Sequence, residues 1–496
     1  MRSILRIMMA VALNGAHREC AERTHSPEQK NMTMWRPNIA PCYSEPELQE
    51  ILEDSLRVLE EIGVECEHDE TARRLVEEKN ASVKRGRVLF PRQVVADHLD
   101  RRREEAAASR GDEPPFSMRG CWACLNYCDP ESLEVRPATS EEAAAMVRLW
   151  DARGITGVVP LIPGDVPPEL TTLAAERIAL THSRTIGGSL TVMDPEEVRY
   201  LADMNRAVGR TFQLEEQISI SPLKFNARGL ETLRQFLNRS DVRLKLGGSI
   251  PMAGVTCPLD PRGAAVQALA ERFALDILCS MLGAAGPGIK IRIEPFDFQY
   301  CTIVFGSPEW CLYVVAALSV NQYLMGGPDR HGMFRSVAKQ PDAQAACERM
   351  ASVLFQAMMG VRVFGASGQL SVDEVFSPQQ AVIDREILAY AARVLKGLDL
   401  GCAGAVESIG EGVRTGDFIG SRDTVARFRE FFDFPELFRH WNVGRWRCEG
   451  SPSILSEAWA RAQEEIARSD FQLEPSRQDD LERIYRKAVE YVRTRH

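Results

Sequence analysis

The stretch VRLKLGGSIPMAGVTCPLDPRGAAVQALAERFALDILCSML, residues 242–282, decides the predicted fold. It begins as an apolar run typical of a strand, passes through Gly, Ser, Pro and Asp, and continues as a long helix. This strand-then-helix unit recurs along the chain. Further strand-like runs start at Gly157, Arg184, Gln217, Ile289 and Arg362, and two more strands are expected at about 322–329 and near Ala403.

About eight such units over roughly 270 residues match the length of a (β/α)8 barrel. We therefore predict an α/β protein with a TIM barrel at residues 139–420. An N-terminal α/β cap is expected at residues 35–138 and a C-terminal helical extension at residues 421–496. An open doubly wound sheet is the alternative, and it is weaker because no GxGxxG motif follows the first strand.

The predicted cap has its own helix signals. Ser44 and Glu47 form a capping-box pattern, the following apolar residues have helical spacing, and Gly63 ends the helix. A second helix is expected near residues 71–79. The segment RVLFPRQVVADHLDRR, from Arg87, predicts a short strand, a Pro that starts a helix, and the helix itself.

Composition excludes several function classes. The chain has 496 residues, of which 45% are hydrophobic and 26% charged, and its net charge is -10. Without a clustered basic face, nucleic acid is not an expected partner. No apolar run reaches the roughly 18 residues of a membrane span. We expect a cytoplasmic protein in which residues 1–34 are a disordered leader or an over-long start, with Met32 or Met34 as the true beginning.

The segment CWACLNYC, starting at Cys121, is the densest group of cysteines. A zinc or redox site is one interpretation, but no second Cys or His pair completes four ligands. Strand alternation would place Cys121 and Cys124 on opposite faces. We therefore predict a strand or hairpin that ends at the Asp129–Pro130 turn and packs in the cap. The eight His residues include no HxH or HExxH pattern, and no Walker or GxSxG motif occurs.

Five ordered strings resemble the trimethylamine methyltransferase family. They are VPLIPGDVPP from Val159, GGSIPMAGVTCPLDPRGAAVQALAE from Gly247, FDFQYCTIVFGSPEW from Phe296, KQPDAQAACER from Lys339 and FSPQQAVIDREIL from Phe376. No single string is diagnostic, but the ordered set is specific. The resemblance covers about residues 35–490.

The resemblance implies a (β/α)8 enzyme of class EC 2.1.1.- that transfers a methyl group from a methylated amine. The acceptor is the cobalt of a small corrinoid protein, which docks at the barrel mouth, so this chain itself binds no cofactor. The family works in methanogenesis and one-carbon metabolism, and we expect a homo-oligomer. Counting back from the PDAQA string aligns the family's pyrrolysine position with Arg335. The chain therefore resembles the non-pyrrolysine branch, whose characterised members demethylate quaternary amines such as glycine betaine.

Two strand-end segments carry the main candidate residues. In IRIEPFDF and the residues after it, Glu294, Phe296, Asp297 and Tyr300 could hold an ammonium by charge and cation–π contact. The alternative is that Phe296 packs and the acids pair with Arg292.

The segment PDRHGMFR, residues 328–335, holds the charged residues Asp329, Arg330, His331 and Arg335. We predict that Arg335 or Arg330 clamps an anionic group of the substrate, since Arg is the best planar partner of a carboxylate. The alternative is a set of salt bridges within the loop. We assign Arg335, His331 and Glu294 as catalytic, and no residue as a metal ligand.

Three further residues are predicted to bind substrate. Asp165 follows the first barrel strand, and it could instead cap the next helix. Lys224 could meet an anion or be solvated. Gln369 ends another strand and could hydrogen-bond substrate.

Two other functions remain open at this point. The scaffold could persist as a non-catalytic, ligand-binding or assembly subunit whose site has drifted, which the Arg-rich segment at residues 328–335 favours. A barrel methyltransferase that uses a folate donor is the third interpretation, and it rests on fold analogy alone.

Overall fold

The computed structural model describes residues 34–187, 192, 194–400, 404–432 and 435–495, and it divides into two compact units. The described residues of the smaller unit are 34–36, 397–400 and 404–421, and the leader predicted at residues 1–34 lies almost entirely outside the described residues. Within this unit, strand β1 (Met34–Trp35) pairs antiparallel with strand β18 (Leu398–Asp399), and helix α12 (Ala405–Thr415) follows. The larger unit consists of residues 37–396 and 422–496 and contains all the other elements.

The larger unit is a mixed α/β structure. Its described strands are β2 (Val64–Cys66), β3 (Ser82–Lys84), β4 (Arg87–Leu89), β5 (Ser117–Met118), β6 (Asn126–Cys128), β7 (Val135–Pro137), β8 (Phe212–Ile220), β9 (Lys224–Phe225), β10 (Val242–Gly248), β11 (Met252–Ala253), β12 (Glu294–Asp297), β13 (Thr302–Ile303), β14 (His331–Met333), β15 (Val363–Gly365), β16 (Gln369–Leu370) and β17 (Val375–Phe376).

Its described helices alternate with these strands. They are α1 (Glu45–Arg57), α2 (Asp69–Lys79), α3 (Arg92–Ala108), α4 (Ser140–Ala152), α5 (Thr171–His182), α6 (Pro195–Ala207), α7 (Ala227–Arg234), α8 (Pro261–Leu282), α9 (Pro308–Met325), α10 (Ala343–Met358), α11 (Pro378–Lys396), α13 (Arg422–Phe431), α14 (Val443–Cys448), α15 (Ile454–Arg468) and α16 (Pro475–Arg495). A π-helical turn at Val58–Ile62 extends α1. A 3-10 turn at Pro168–Leu170 precedes α5.

The helix signals of the N-terminal residues are confirmed. The Ser44 and Glu47 side chains form the predicted capping box at the start of α1. Gly63 ends the π-helical turn at a φ of 68°, a conformation that glycine adopts without a Cβ clash. Pro91 is the N-cap of α3, directly after β4 and the buried Phe90. Local sequence therefore determines this region.

Half of the described strand pairings in the larger unit are parallel and half are antiparallel. The parallel pairings join β8 with β10, β11 with β12, β17 with β6, β2 with β9, and β15 with both β14 and β5. These pairings leave separate short sheets among the described residues rather than a closed barrel. The α/β class is therefore shown.

Two predicted strands differ from the structure. At residues 322–329 helix α9 continues to Met325, and the strand follows at β14, because the apolar run there covers the buried side of a helix. The strand expected near Ala403 falls outside the described residues. At residues 157–165 the structure contains isolated bridges, such as Gly157 with Ile186, rather than a ladder.

Alternation along the central strands separates an apolar face from a charged face. On β8 and β10, Leu214 and Leu246 are fully buried in the main core. On the opposite face Lys245 donates to Glu215 over 2.8 Å. Residues 289–293 alternate in the same way, with Ile289, Ile291 and Ile293 buried. The same strands therefore hold the core and present charged side chains.

The CWACLNYC segment forms the predicted hairpin, but one detail of the prediction is wrong. Strands β6 and β7 pair antiparallel, and the Asp129 carboxylate accepts from the backbone of the turn between them. Cys121 lies before β6 in irregular backbone, so strand alternation does not apply to it. The thiols of Cys121 and Cys124 are hydrogen-bonded, and burial raises the pKa of Cys121 well above its usual value.

Neither a metal site nor a membrane span is found in the described part of the chain. No group of three His, Cys, Asp or Glu side chains there is placed to hold a metal ion. Among the described helices, none is both long enough and apolar enough to cross a membrane.

Candidate functional site

A small cavity lies where residues 291–294, helix α9 and strand β14 meet. Its volume is about 40 Å3, and its lining includes the charged residues Arg292, Glu294 and Arg335, with the Trp310 ring beside them. A cavity of this size holds a group of a few non-hydrogen atoms. All three residues assigned as catalytic from the sequence, Glu294, His331 and Arg335, therefore line one cavity.

Arg335 is buried without a matching set of hydrogen bonds. It lies two residues beyond β14, and its backbone N–H donates to Ser352 Oγ over 3.3 Å. The side chain lies against the Phe305 ring, with 3.8 Å between the guanidinium carbon and the ring centroid. Only 4% of the residue is exposed, and Nε has no hydrogen-bond partner. A buried donor without an acceptor is costly, which suggests a missing acceptor.

Glu294 is the buried acid of the site. Its Oε2 accepts from the indole N–H of Trp310 over 2.5 Å. Burial raises the pKa of Glu294, while Arg335 and then Arg292 act in the opposite direction. Burial likewise lowers the pKa of Arg335 to about 10, and Glu294 opposes this. The two groups stabilise each other's charge without a direct ion pair.

Asp373 is a further acid near Arg335 that the sequence analysis did not identify. Burial raises its pKa, and the guanidinium of Arg335 opposes that shift. The two residues before it, Ser371 and Val372, have φ angles of 50° and 67°. A β-branched residue in this region is strained, and such strain persists only where the surrounding structure fixes it. The sequence contains no signal for this loop.

Arg292 and Arg272 are two more cations that the sequence analysis did not assign to binding. The one described hydrogen bond of the Arg292 side chain goes to the Met333 sulfur, over 3.2 Å. Arg272, on α8, is 8% exposed and has no hydrogen bond or ion pair to any described residue. Burial lowers the pKa of Arg272 to about 10, and Arg292 lowers it further. The signal for Arg292 was its alternation with the buried isoleucines of residues 289–293.

Asp329 and His331 also line the cavity. Asp329 accepts from Lys290 over 2.7 Å and from the backbone of His331 over 3.1 Å. The pKa of His331 is lowered, first by burial and then by Lys290 and Arg119. His331 is therefore favoured in its neutral form, beside a carboxylate that already has a partner.

Three of the predicted binding residues are engaged elsewhere. Arg330 donates to Glu113 and to the Gly360 carbonyl, each over 3.1 Å. The Asp165 carboxylate accepts from the backbone and hydroxyl of Ser140, the first residue of the preceding helix α4, rather than capping the next helix. Lys224 donates to Glu65 over 2.6 Å in an exposed pair. None of the three lines the cavity.

The aromatic residues after Glu294 form a hairpin tip. Phe296 is half-buried against Phe298, with 5.5 Å between the ring centroids. Asp297 caps the turn by accepting from the backbone of Gln299 and Tyr300. Tyr300 is 72% exposed. These three predicted residues are therefore separate from the cavity lining.

Gln369 is buried at another strand end. Its Nε2 makes long contacts to the Trp122 and Asp373 carbonyls and to the Cys124 sulfur. Its Oε1 has no hydrogen-bond partner. Gln369 is therefore linked to the Asp373 loop, and the acceptor atom of its side chain is free.

Comparison with known proteins gives a consistent result. The profile of the family described as Trimethylamine methyltransferase (MTTB) matches residues 14–491. The trimethylamine methyltransferase of Methanosarcina barkeri (strain Fusaro / DSM 804) is 28% identical over 252 residues, which are 48% of this chain and 49% of that protein. The match therefore spans about half the length of that relative.

Two other relatives extend this picture. The trimethylamine methyltransferase of Methanosarcina thermophila is 28% identical over 218 residues, or 42% of this chain and 44% of that protein. The glycine betaine methyltransferase of Desulfitobacterium hafniense (strain Y51) is 24% identical over 430 residues, or 82% of this chain and 88% of that protein.

Proposed function

The chain belongs to the trimethylamine methyltransferase family, and we propose that it transfers a methyl group from a quaternary, glycine-betaine-like amine to the cobalt of a corrinoid. The corrinoid would be carried by a separate small protein. The observation that carries the proposal is the buried cluster of Glu294, Arg335 and Trp310 around a cavity beside the start of β12. Support for the substrate class comes from the glycine betaine methyltransferase of Desulfitobacterium hafniense, which matches most of the chain.

We further propose that the separate parallel sheets are parts of a (β/α)8 barrel. In the described residues, β5 pairs with β15 on one side, and Gly120, just after β5, donates to the Thr156 carbonyl on the other. Gly157 bridges Ile186, and β10 is linked to β8 and, through Lys245, to Ala285. This order has the neighbour-to-neighbour progression of a barrel. In such a barrel Glu294, the first residue of β12, and Arg335, two residues beyond β14, would lie near the mouth, where barrel enzymes hold their substrates.

The chemistry suits a quaternary amine. Such an amine already carries the positive charge that makes a neutral amine its leaving group, so cobalt(I) on the partner can take the methyl group in one displacement. This chain then has to desolvate the cation, orient one methyl group and admit the partner at the barrel mouth.

The described residues supply these functions in part. Glu294 and Asp373 provide carboxylates, and Trp310 and Phe305 provide aromatic surface, the groups that bind an ammonium. Arg335 provides a buried cation suited to an anionic group on the same substrate. Neutral His331, on the neighbouring β14, is placed to line the approach to the cavity.

A methyl-transfer assay tests the proposal. Purified protein is mixed with cob(I)alamin and a panel of methylated amines, and methylcob(III)alamin is followed by its absorbance. We expect transfer from a quaternary amine and little from tertiary amines. Arg335→Ala should lower both methyl transfer and ligand affinity. Unchanged values for both would remove the role of Arg335.

A second function, a non-catalytic ligand-binding or assembly subunit, is favoured by one observation. Aromatic surface and two carboxylates are what a substrate cation needs, and here the guanidinium of Arg335 itself lies among Phe305, Glu294 and Asp373. The residue could thus occupy the cation position permanently. Absence of methyl transfer across the panel, with an intact fold and a bound methylated amine, would support this function.

A further inference from the structure

The charged groups around the cavity are unevenly paired. Three of the nearby carboxylates have partners of their own, whereas no hydrogen bond or ion pair of the Asp373 carboxylate to a described residue is found. Glu294 is bound by Trp310, and Asp329 is bound by Lys290. Glu271, next to Arg272 in sequence, accepts from Ser221 Oγ, the Leu223 backbone and Gln267. None of these acids can move onto another cation without giving up a hydrogen bond.

Arg292 is a second cation that lines the cavity with few hydrogen bonds. A guanidinium has five N–H donors in a planar fork, and a thioether is a weak acceptor. The one described partner of this side chain is the Met333 sulfur. Because Arg292 follows the alternation of residues 289–293, its side chain lies on the face opposite the buried isoleucines, toward β14.

Two buried arginines near Arg292 add further guanidinium donors that have no acceptor. The Nε of Arg335, on the same cavity, has no acceptor although the residue is 4% exposed. Arg272 is more than nine-tenths buried and has no hydrogen bond or ion pair within the described residues. Like charges that are collected out of water and left without an acceptor are unfavourable unless an anion completes the site.

We propose that Arg292 and Arg335 together bind the carboxylate of the substrate in this cavity, with Arg272 adding positive potential behind Arg292. The inference rests on the proposed function and narrows its substrate class to zwitterions, which carry a carboxylate as well as a methylated ammonium. The carboxylate lies at Arg292 and Arg335, the ammonium lies at the carboxylates and aromatic rings proposed above to bind it, and Arg292 determines specificity.

Calorimetric titration of the full chain separates the two ends of the substrate. The probes are glycine betaine, choline, which carries a hydroxymethyl group in place of the carboxylate, and tetramethylammonium. We expect glycine betaine to bind at least about tenfold more tightly than choline, since charge-assisted hydrogen bonds supply the difference. Equal affinity for glycine betaine and choline would overturn the inference.

Variants of Arg292 test whether this residue contacts the carboxylate of glycine betaine. Arg292→Gln keeps much of the length of the side chain and removes the charge, so glycine betaine should bind about tenfold to hundredfold more weakly while choline is unchanged. Arg292→Lys keeps the charge but loses the planar guanidinium, so its affinity for glycine betaine should lie between those of the wild type and Arg292→Gln. Arg243→Gln, at an exposed Arg on β10, removes the same charge elsewhere and should change neither affinity.

The outcomes distinguish this inference from the proposed function. A protein that binds glycine betaine through Arg292 but transfers no methyl group would retain the inference and lose the proposed function. A protein that demethylates a quaternary amine without a carboxylate, or binds no zwitterion, would overturn the inference. Equal losses for choline and glycine betaine in Arg292→Gln, with the helical circular dichroism unchanged, would overturn it as well.

Discussion

Two buried arginines of this protein, each with its guanidinium over a phenylalanine ring, differ in their hydrogen bonds. Arg349, on α10, is fully buried, and its guanidinium donates to both oxygens of Asp384 and to the carbonyls of Gln369 and Ala366. Arg335, just beyond β14, has an aromatic ring on its guanidinium and an Nε without a partner.

This difference distinguishes an arginine that stabilises the fold from an arginine that is available to bind a ligand. The acceptors of Arg349 all belong to the chain itself, so its charge is neutralised as soon as the fold forms. Arg335 has carboxylates near it without a direct ion pair. A buried charge whose donors are all used stabilises the fold, and one whose donors are free is available to a ligand.

The largest effect is expected at Arg349. Arg349→Leu leaves the Asp384 carboxylate buried without its cation, so the free energy of unfolding should fall by about 3–5 kcal/mol. Urea unfolding followed by circular dichroism measures this. Arg349→Leu combined with Asp384→Leu should recover part of the loss, and a single variant as stable as the wild type would break the comparison.

A buried carboxyl extends the comparison to acids. Glu216, on β8, is buried, its Oε1 has no partner, and burial raises its pKa from 4.5 to about 7 while Arg228 opposes this. Since the folded state holds this proton more tightly, its stability contribution is complete below about pH 4.5 and is lost as pH rises toward 7.

The contribution of Glu216 to the free energy of unfolding falls by about 3 kcal/mol over this pH range. Glu216→Gln should therefore be more stable than the wild type at about pH 8 and similar to it at about pH 4.5. Unfolding midpoints at both pH values measure the difference. If the unfolding midpoints of the two proteins change with pH in the same way, the raised pKa of Glu216 is contradicted.

The smallest effect on stability is expected at Arg335. Arg335→Leu removes a buried cation that makes no direct ion pair, so the free energy of unfolding should change by less than about 1 kcal/mol. The same variant should lose ligand affinity. Urea unfolding and titration calorimetry give the two values, and a stability loss as large as that of Arg349→Leu would make Arg335 structural too.

Much of the fold followed from local sequence. The capping box of Ser44 and Glu47, the helix at Pro261–Leu282 and the turn after Cys128 all depend on residues within a few positions of one another. The strand placed at residues 322–329 failed because a short apolar run does not distinguish a buried helix from a strand. Family membership was also determined by the sequence, through ordered strings spread along the chain.

The partners of the charged residues were decided by the tertiary structure. Arg330 is bound by Glu113, 217 residues away, and Lys224 by Glu65, whereas Arg292 is left with the sulfur of Met333. Nothing in PDRHGMFR or IRIEPFDF distinguishes these outcomes. The sequence determines which side chains a strand presents, because alternation is local. Which of them find a partner depends on the strands and loops that meet there, since electrostatic pairing acts through space and not along the chain.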